Sequence, residues 1–171
     1  RVVGPQFPDL VKYGDVVVGL PMDSQSVDLV YSSHMLEHLS LEDLKLALAE
    51  IKRVLKPGGV FRAVLPDLAV SIDEYINNDK ASAGTQFLKD TILGIERRPN
   101  GISGKLRSLL GNSNHLWMWD FKGIQEELNL AGFSNISRCY YNDSGVPDFS
   151  EVEDADRWHN CLGFECQAPI V

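Results

Sequence analysis

The segment from Ser26 to Asp67 constrains the fold more than any other part of the chain. It reads SVDLVYSSHMLEHLSLEDLKLALAEIKRVLKPGGVFRAVLPD and contains two apolar runs, Val27 to Tyr31 and Val60 to Leu65. Short, nearly continuous apolar runs of this kind are typical of parallel strands that helices cover on both faces. An amphipathic stretch joins the two runs. The order strand, helix, strand predicts half of a doubly wound α/β domain.

The helix between these strands has a start signal, a buried face and a stop signal. The hydroxyl of Ser40 can accept a hydrogen bond from the backbone N–H of Asp43, as in a capping box. Pro57 cannot continue a helix, and the two glycines after it favour a chain reversal. Four apolar residues at spacings of 4, 3 and 4 share one face of the predicted helix: Leu44, Leu48, Ile51 and Leu55.

The remaining elements are predicted from the same kinds of signal, and all 171 residues are expected to form one domain. Region 77–119 has the weakest pattern and is interpreted as an insertion or a lid. The last two predicted strands would pair as a terminal hairpin. The predicted elements are a short strand at Val16 to Leu20, helices at Leu68 to Tyr75, Thr85 to Ile95, Ile102 to Leu110 and Asp120 to Gly132, and strands at Ile136 to Tyr141 and Cys161 to Ala168.

Charge and cysteine content limit the classes of partner and compartment. The formal net charge of −8 argues against a nucleic-acid or anionic-membrane partner, because phosphate backbones require clustered Lys and Arg. No apolar run approaches the roughly 20 residues of a membrane-spanning helix. The three cysteines have no framework spacing, which indicates free thiols and a reducing, cytoplasmic location. A bridge from Cys139 to Cys161 or Cys166 is the open alternative.

Several segments together resemble the class I S-adenosylmethionine (SAM) dependent methyltransferases, in particular methyltransferase type 11-like proteins. SVDLVYSSHMLEHL is similar to the fourth strand and following turn of that family, and LPMDSQSVD matches the LPF-x-D-x-S-F-D segment before it. AEIKRVLKPGGVFRAVLPDL and HLWMWDFKGIQEELNLAGFSNISRCYYNDSGVP resemble the later parts. The resemblance covers roughly residues 14 to 168. It implies a Rossmann-like, mostly parallel sheet with an antiparallel C-terminal hairpin, SAM as cofactor, and methyl transfer to a small-molecule acceptor such as a saccharide.

The family opens with a strand, a G-x-G-x-G type turn and a helix, and residues 1–15 contain no such arrangement. Glycine allows the backbone to approach the cofactor closely there. The first βαβ unit is therefore expected to be missing or degenerate. The alternative function is a non-catalytic, methyltransferase-like scaffold that has lost SAM binding. Such a scaffold would have an open sheet edge, which predicts a homodimer or a partner chain.

The resemblance also assigns candidate site residues. Besides lying beside the methionine part of the cofactor, His34 would face the substrate. Its imidazole suits the role of a general base for an oxygen nucleophile there. His115 lies in a region that folds over the active site in the family and could contact the substrate. The candidate cofactor-binding residues are Asp15, Leu20 and Pro21 against the adenine, and Ser32, Ser33 and His34 beside the methionine part.

The letters HMLEH also match H-x-x-E-H, a zinc motif of metallopeptidases, through His34, Glu37 and His38. A zinc peptidase needs this motif inside a sustained helix, whereas Ser40 starts a new helix two residues later. We therefore expect no metal site, and we expect Glu37 and His38 to connect the turn to the helix. The acidic segment 142–157 is likewise expected to be a solvated face rather than a metal site.

Overall fold

The computed structural model describes residues 11–94 and 114–170. Four strands and four helices longer than one turn follow one another along these residues, with short 3₁₀ turns at Leu36–His38, Pro147–Glu151 and Ala155–Arg157. The strands are β1 (Val27–Ser33), β2 (Leu55–Pro66), β3 (Ser134–Cys139) and β4 (Cys161–Gln167). The helices are α1 (Leu41–Val54), α2 (Leu68–Ile76), α3 (Ala83–Asp90) and α4 (Phe121–Ala131).

The four strands form one sheet in the order β1-β2-β4-β3. β1 and β2 are parallel, whereas β2 with β4 and β3 with β4 are antiparallel. The α/β class and the C-terminal hairpin are therefore confirmed. The expected parallel majority does not hold within the described residues, because β4 enters the sheet between β2 and β3 and runs against both.

Helix α1 begins as its sequence signals predict, but it ends at Val54, so Leu55 of the predicted face is the first residue of β2. The Asp43 N–H donates to Ser40 Oγ at 3.2 Å, and the Ser40 hydroxyl donates to the Asp43 carboxylate at 2.8 Å. The four apolar residues of the predicted face are all buried and pack with Ile124 and Leu128 of α4 in the main core. Helix α4 is also confirmed, since Asp120 caps it through the Gly123 N–H and Gly132 ends it at φ +89°.

The Lys-Pro-Gly-Gly segment is a bulge inside β2 rather than a turn before it. Between the pairs Val27 with Leu55 and Leu29 with Val60, β1 advances by two residues and β2 by five. Gly58 has φ +75°, and a Cβ at Gly59 would lie 2.9 Å from a backbone oxygen. The glycines are thus required by the geometry of the bulge.

Two of the predicted elements differ in the structure. The strand predicted at Val16 to Leu20 is wrong: the Gly19 N–H donates to the Asp15 carbonyl at 2.7 Å, and Val18 is 85% exposed, so this apolar run forms a turn. The helix predicted at Thr85 to Ile95 begins earlier and ends at Asp90. The helix predicted at Ile102 to Leu110 lies outside the described residues.

The acidic segment after β3 is attached to the sheet through Arg62, a fully buried residue of β2. Its guanidinium donates hydrogen bonds to Glu153, Glu165 and Asp143. The Glu153 side chain is only 1% exposed, so the expectation of a solvated acidic face is wrong for this residue. Burial opposes the charge of Arg62, but the hydrogen bonds to its acidic partners raise its pKa overall.

The three cysteines are free thiols, which excludes the disulfide alternatives in this structure. None of the helices that the structure describes has the length and apolar composition needed to cross a membrane.

Candidate functional site

A polar turn follows the carboxyl end of β1, where ligands bind in open α/β sheets. Ser32 is buried, and Ser33 is partly buried. His34 adopts a left-handed backbone conformation at φ +51°, and its N–H donates to the Val64 carbonyl of β2 at 2.9 Å. The turn is thereby fixed to the neighbouring strand. The structure thus brings together Ser32, Ser33 and His34, three of the predicted cofactor-binding residues.

The His34 ring is held between two side chains. Its Nδ1 lies 3.3 Å from Ser33 Oγ, and its Nε2 lies 3.5 Å from Cys161 Sγ at the start of β4. Burial lowers the pKa of His34, and the positive charge of Arg157 lowers it further. The imidazole is therefore neutral near pH 7. A neutral imidazole at this position can accept a proton.

Asp67, at the end of β2, has a structural role in the same edge of the sheet. Its carboxylate accepts a hydrogen bond from the Ala69 N–H at 2.9 Å, which caps α2. The other oxygen of the carboxylate pairs with Arg138 at 2.6 Å. Because both oxygens are occupied and the residue is buried, Asp67 shapes the edge without being available to a ligand.

The predicted adenine-contacting residues lie elsewhere. Asp15, Leu20 and Pro21 line one surface pocket. The Leu20 N–H donates to the Glu50 carboxylate at 2.6 Å, and the Leu20 carbonyl accepts from Arg53. Glu50 and Arg53 belong to the last part of α1, near the beginning of β1, whereas Ser33 ends that strand. The structure therefore assembles the two halves of the predicted cofactor site separately and does not join them.

His115 lies beside the turn that follows β1. The N–H groups of Leu116 and Trp117 donate to the Glu37 carbonyl at 2.8 and 3.2 Å. These bonds bring the His115 and His38 rings together in an edge-to-face arrangement, with 5.1 Å between the ring centroids. Burial lowers the pKa of His115, and a positive charge on His38 would lower it further.

A group of three potential metal ligands results, formed by Glu37, His38 and His115. Sequence reasoning did not find this group, because His115 is far from the other two along the chain. The H-x-x-E-H motif signalled two of its three members. The third was noted only through the family resemblance, as a substrate contact.

A cleft lies between α2 and α3. Its cavity volume is about 210 Å³. The rings of Tyr75 and Phe87 lie 5.6 Å apart along it, and Glu74 and Gln86 supply polar groups. Thr91 lines the cleft and also hydrogen-bonds the His115 ring through its backbone. Thr91 is therefore shared by the lining of the cleft and the surroundings of His115, whereas His115 itself does not line the cleft.

Comparison with known proteins places these features in a family context. Residues 6–63, about a third of the chain, match the family described as methyltransferase domain. A comparison with curated protein sequences found no match.

Three solved structures are similar to this chain. The first is a chain of the complex between the Haloferax volcanii Trm112 methyltransferase activator and a methyltransferase. Its sequence identity is 20% and its TM-score 0.50, and the alignment covers 91% of this chain and 59% of that one. A Bordetella parapertussis protein described as a candidate exported protein has 16% identity and a TM-score of 0.51, covering 91% and 43%. A SAM-dependent methyltransferase from Aquifex aeolicus has 14% identity and a TM-score of 0.48, covering 92% and 54%.

The resemblance to class I SAM-dependent methyltransferases is thereby confirmed, by sequence over residues 6–63 and by fold over the described residues. The chain spans about 40 to 60% of the length of these three solved structures.

Proposed function

We propose that this chain is part of a SAM-dependent methyltransferase that methylates an oxygen of a small-molecule acceptor. The observation that carries the proposal is the polar turn Ser32 to His34 at the carboxyl end of β1, within the part of the chain that matches methyltransferase domains. Open α/β sheets bind their ligands at this edge.

The residues around the turn fit one side of a cofactor crevice. Ser32 and Ser33 offer hydroxyl and peptide groups that can hold the polar methionine part of SAM. No glycine-rich strand-to-helix turn lies within residues 11–94 or 114–170. Asp15, with its exposed carboxylate, and the apolar Leu20 and Pro21 suit an adenine ring. Since this second group lies apart, we propose Ser32, Ser33 and His34 as the main contact and test the second group separately.

His34 is the better candidate for a general base than His115, which the family resemblance gives as a substrate contact. The cofactor, when bound, supplies an activated methyl group, and an acceptor hydroxyl that attacks it must lose a proton. The lowered pKa of His34 keeps its imidazole neutral and able to take that proton. His115 is 7% exposed and packs against His38, which favours a positioning role for it.

The cleft between α2 and α3 supports a polyhydroxylated acceptor such as a saccharide. Sugars present apolar C–H faces and many hydroxyl groups. The aromatic rings of Tyr75 and Phe87 can contact the former, while Glu74 and Gln86 can bind the latter. We therefore propose this cleft as the acceptor site.

Calorimetric titration with S-adenosylhomocysteine, the demethylated cofactor, tests the proposal. Binding that is weakened by Ser33→Leu and unchanged by the matched surface variant Ser150→Leu would support a crevice at the end of β1. Asp15→Asn keeps the local turn, so its effect tests the adenine contact alone. A folded chain that gives no heat of binding, or one in which both leucine variants bind equally, would reject the proposed crevice.

The second candidate function is a non-catalytic scaffold that binds a protein. Among the described strands, β1 pairs only with β2, so its other edge offers unpaired backbone groups. The similar Haloferax chain was solved in a complex with an activator protein. Light scattering after size-exclusion chromatography distinguishes the candidates: a homodimer without cofactor binding favours the scaffold, and a cofactor-binding monomer rejects it.

The three free thiols also support a reducing compartment, and we propose the cytoplasm. Labelling of the thiols in intact cells, followed by mass spectrometry, tests this location: disulfide-bonded cysteines would contradict it.

A further inference from the structure

Two buried side chains beside the turn after β1 have polar atoms without a hydrogen-bond partner. Glu37 is 1% exposed, and neither of its carboxylate oxygens has a hydrogen bond to another residue. His115 is also buried, and its Nδ1 has no hydrogen bond either. Buried polar groups are normally satisfied, so unsatisfied groups that lie together require an explanation.

The geometry around these atoms resembles the environment of a metal ion. One potential ligand atom from each of Glu37, His38 and His115 lies within 4.8 Å of the other two. His38 Nδ1 lies 3.1 Å from the Asn114 carbonyl, and its Nε2 lies 3.9 Å from the Glu37 carboxylate. The His115 ring is likewise hydrogen-bonded by the backbone of Thr91. Metal-ligating histidines are usually oriented by such a hydrogen bond on the nitrogen remote from the metal, made to a carboxylate, a backbone carbonyl or water.

We propose that Glu37, His38 and His115 form a binding site for one divalent metal ion of the zinc class. Two imidazole nitrogens and one carboxylate suit Zn²⁺ or a neighbouring first-row ion better than Mg²⁺ or Ca²⁺, which prefer oxygen ligands throughout. Bonds of about 2.1 Å in a tetrahedral site put the ligands about 3.4 Å apart. A small inward movement of the three side chains therefore brings all three ligand atoms to bonding distance of one ion.

His34 is not part of this site, although it belongs to the H-x-x-E-H motif. Its two ring nitrogens contact Ser33 and Cys161 instead. Glu37 takes a ligand position, which removes it from the role of base that a metallopeptidase motif would assign to it. The motif therefore contributes two ligands, and His115 supplies the third.

Three protein ligands leave at least one coordination position open, as in catalytic zinc sites. That position takes water or an oxygen of a bound molecule. If the methyltransferase function holds, the acceptor would supply this oxygen, so this extension rests on the proposed function. Metal binding itself requires neither SAM nor an acceptor.

A protonated, buried Glu37 with no metal beside it is the rival explanation. Burial raises the pKa of Glu37, which is compatible with a neutral carboxyl. The two explanations differ in Glu37→Gln: the amide imitates a neutral carboxyl well but ligates a metal poorly.

Titration of the metal-free chain with Co²⁺, followed by its visible absorption, and competition with Zn²⁺ test the site. The ligand variants are Glu37→Gln and His115→Asn, and thermal unfolding without metal checks that both are folded. His159→Asn, at an exposed histidine outside the cluster, is the matched control. Cys161→Ser identifies any binding through a thiol.

We expect one ion per chain and no cobalt–thiolate charge-transfer band. Each ligand variant should lose about 100-fold or more in metal affinity, because loss of even an outer contact costs about 10- to 100-fold. His159→Asn and Cys161→Ser should bind as the wild type does. Absence of stoichiometric binding, or binding that only Cys161→Ser weakens, would overturn the proposal. Neither result depends on S-adenosylhomocysteine binding, so the metal site and the proposed function can fail separately.

Discussion

Replacement of Arg62 by methionine should destabilise the protein by about 3–5 kcal/mol, the usual cost of removing one partner from a buried ion pair. The Arg62 side chain is fully buried and donates to three carboxylates and to the Tyr140 carbonyl. Methionine retains most of the packing volume against Phe149 and Trp158, whose rings lie 5.9 and 4.9 Å from the guanidinium carbon. The loss therefore measures charge and hydrogen bonding more than an empty cavity.

The burial of the partners identifies the source of the cost. Glu153 is 1% exposed and cannot regain water when Arg62 is removed. Asp143 and Glu165 are 40% and 24% exposed and can be partly hydrated instead. Most of the destabilisation should thus come from one carboxylate. The double variant Arg62→Met with Glu153→Gln should be more stable than Arg62→Met alone, with a coupling energy of about 1–3 kcal/mol.

Urea unfolding followed by circular dichroism measures these free energies. Lys45→Met is the matched control, because Lys45 forms an exposed ion pair with Glu42 and should change stability by less than about 1 kcal/mol. The reasoning is refuted if Arg62→Met loses less than about 1 kcal/mol with an unchanged m-value. It is also refuted if the double variant is no more stable than the single one.

Three further predictions follow from local geometry. Gly163→Ala should destabilise the protein by about 1–3 kcal/mol in thermal unfolding, because its Cβ would lie 2.2 Å from the Trp158 ring, whereas Gly145→Ala meets no atom within 4 Å and should be neutral. The hydrogen bond from Arg53 lowers the pKa of Glu50 to about 2. The ionised Glu50 therefore stabilises the fold above pH 4 to 5, and this stabilisation is lost as the pH falls towards 2. Glu50→Gln should flatten this part of the curve of unfolding free energy against pH, and an unchanged curve would contradict the argument. Burial raises the pKa values of the three thiols, those of Cys139, Cys161 and Cys166. Alkylation by iodoacetamide should therefore be slow in the folded chain and fast in urea. Fast labelling of the folded chain would be the contrary result.

Local signals in the sequence were sufficient for the elements that depend on neighbouring residues. The cap at Ser40 and the apolar spacing of α1 act within a few residues, as does the end of α4 at Gly132, and all three are confirmed. The apolar run at Val16 to Leu20 predicts a strand, and this prediction is wrong. An apolar run becomes a strand only if a neighbouring strand pairs with it, and here the bond from Gly19 to Asp15 closes a turn first.

The features that the sequence did not predict depend on contacts between distant residues. The burial of Arg62 requires Glu153 and Glu165, which come much later in the chain. His115 similarly meets Glu37 only because the chain after it hydrogen-bonds the Glu37 carbonyl. Residue spacing reports on one helix or strand at a time, so it cannot indicate which side chains tertiary folding brings together.

Backbone amide NMR spectra recorded during titration with S-adenosylhomocysteine test the central claim most directly. The claim is that the carboxyl end of β1 contacts the cofactor. It predicts concentration-dependent shifts that are largest at Ser32, Ser33 and His34, with smaller shifts at the end of β2. Absence of shifts, or shifts confined to the groove between α1 and α4 at Lys45 and Leu130, would contradict it.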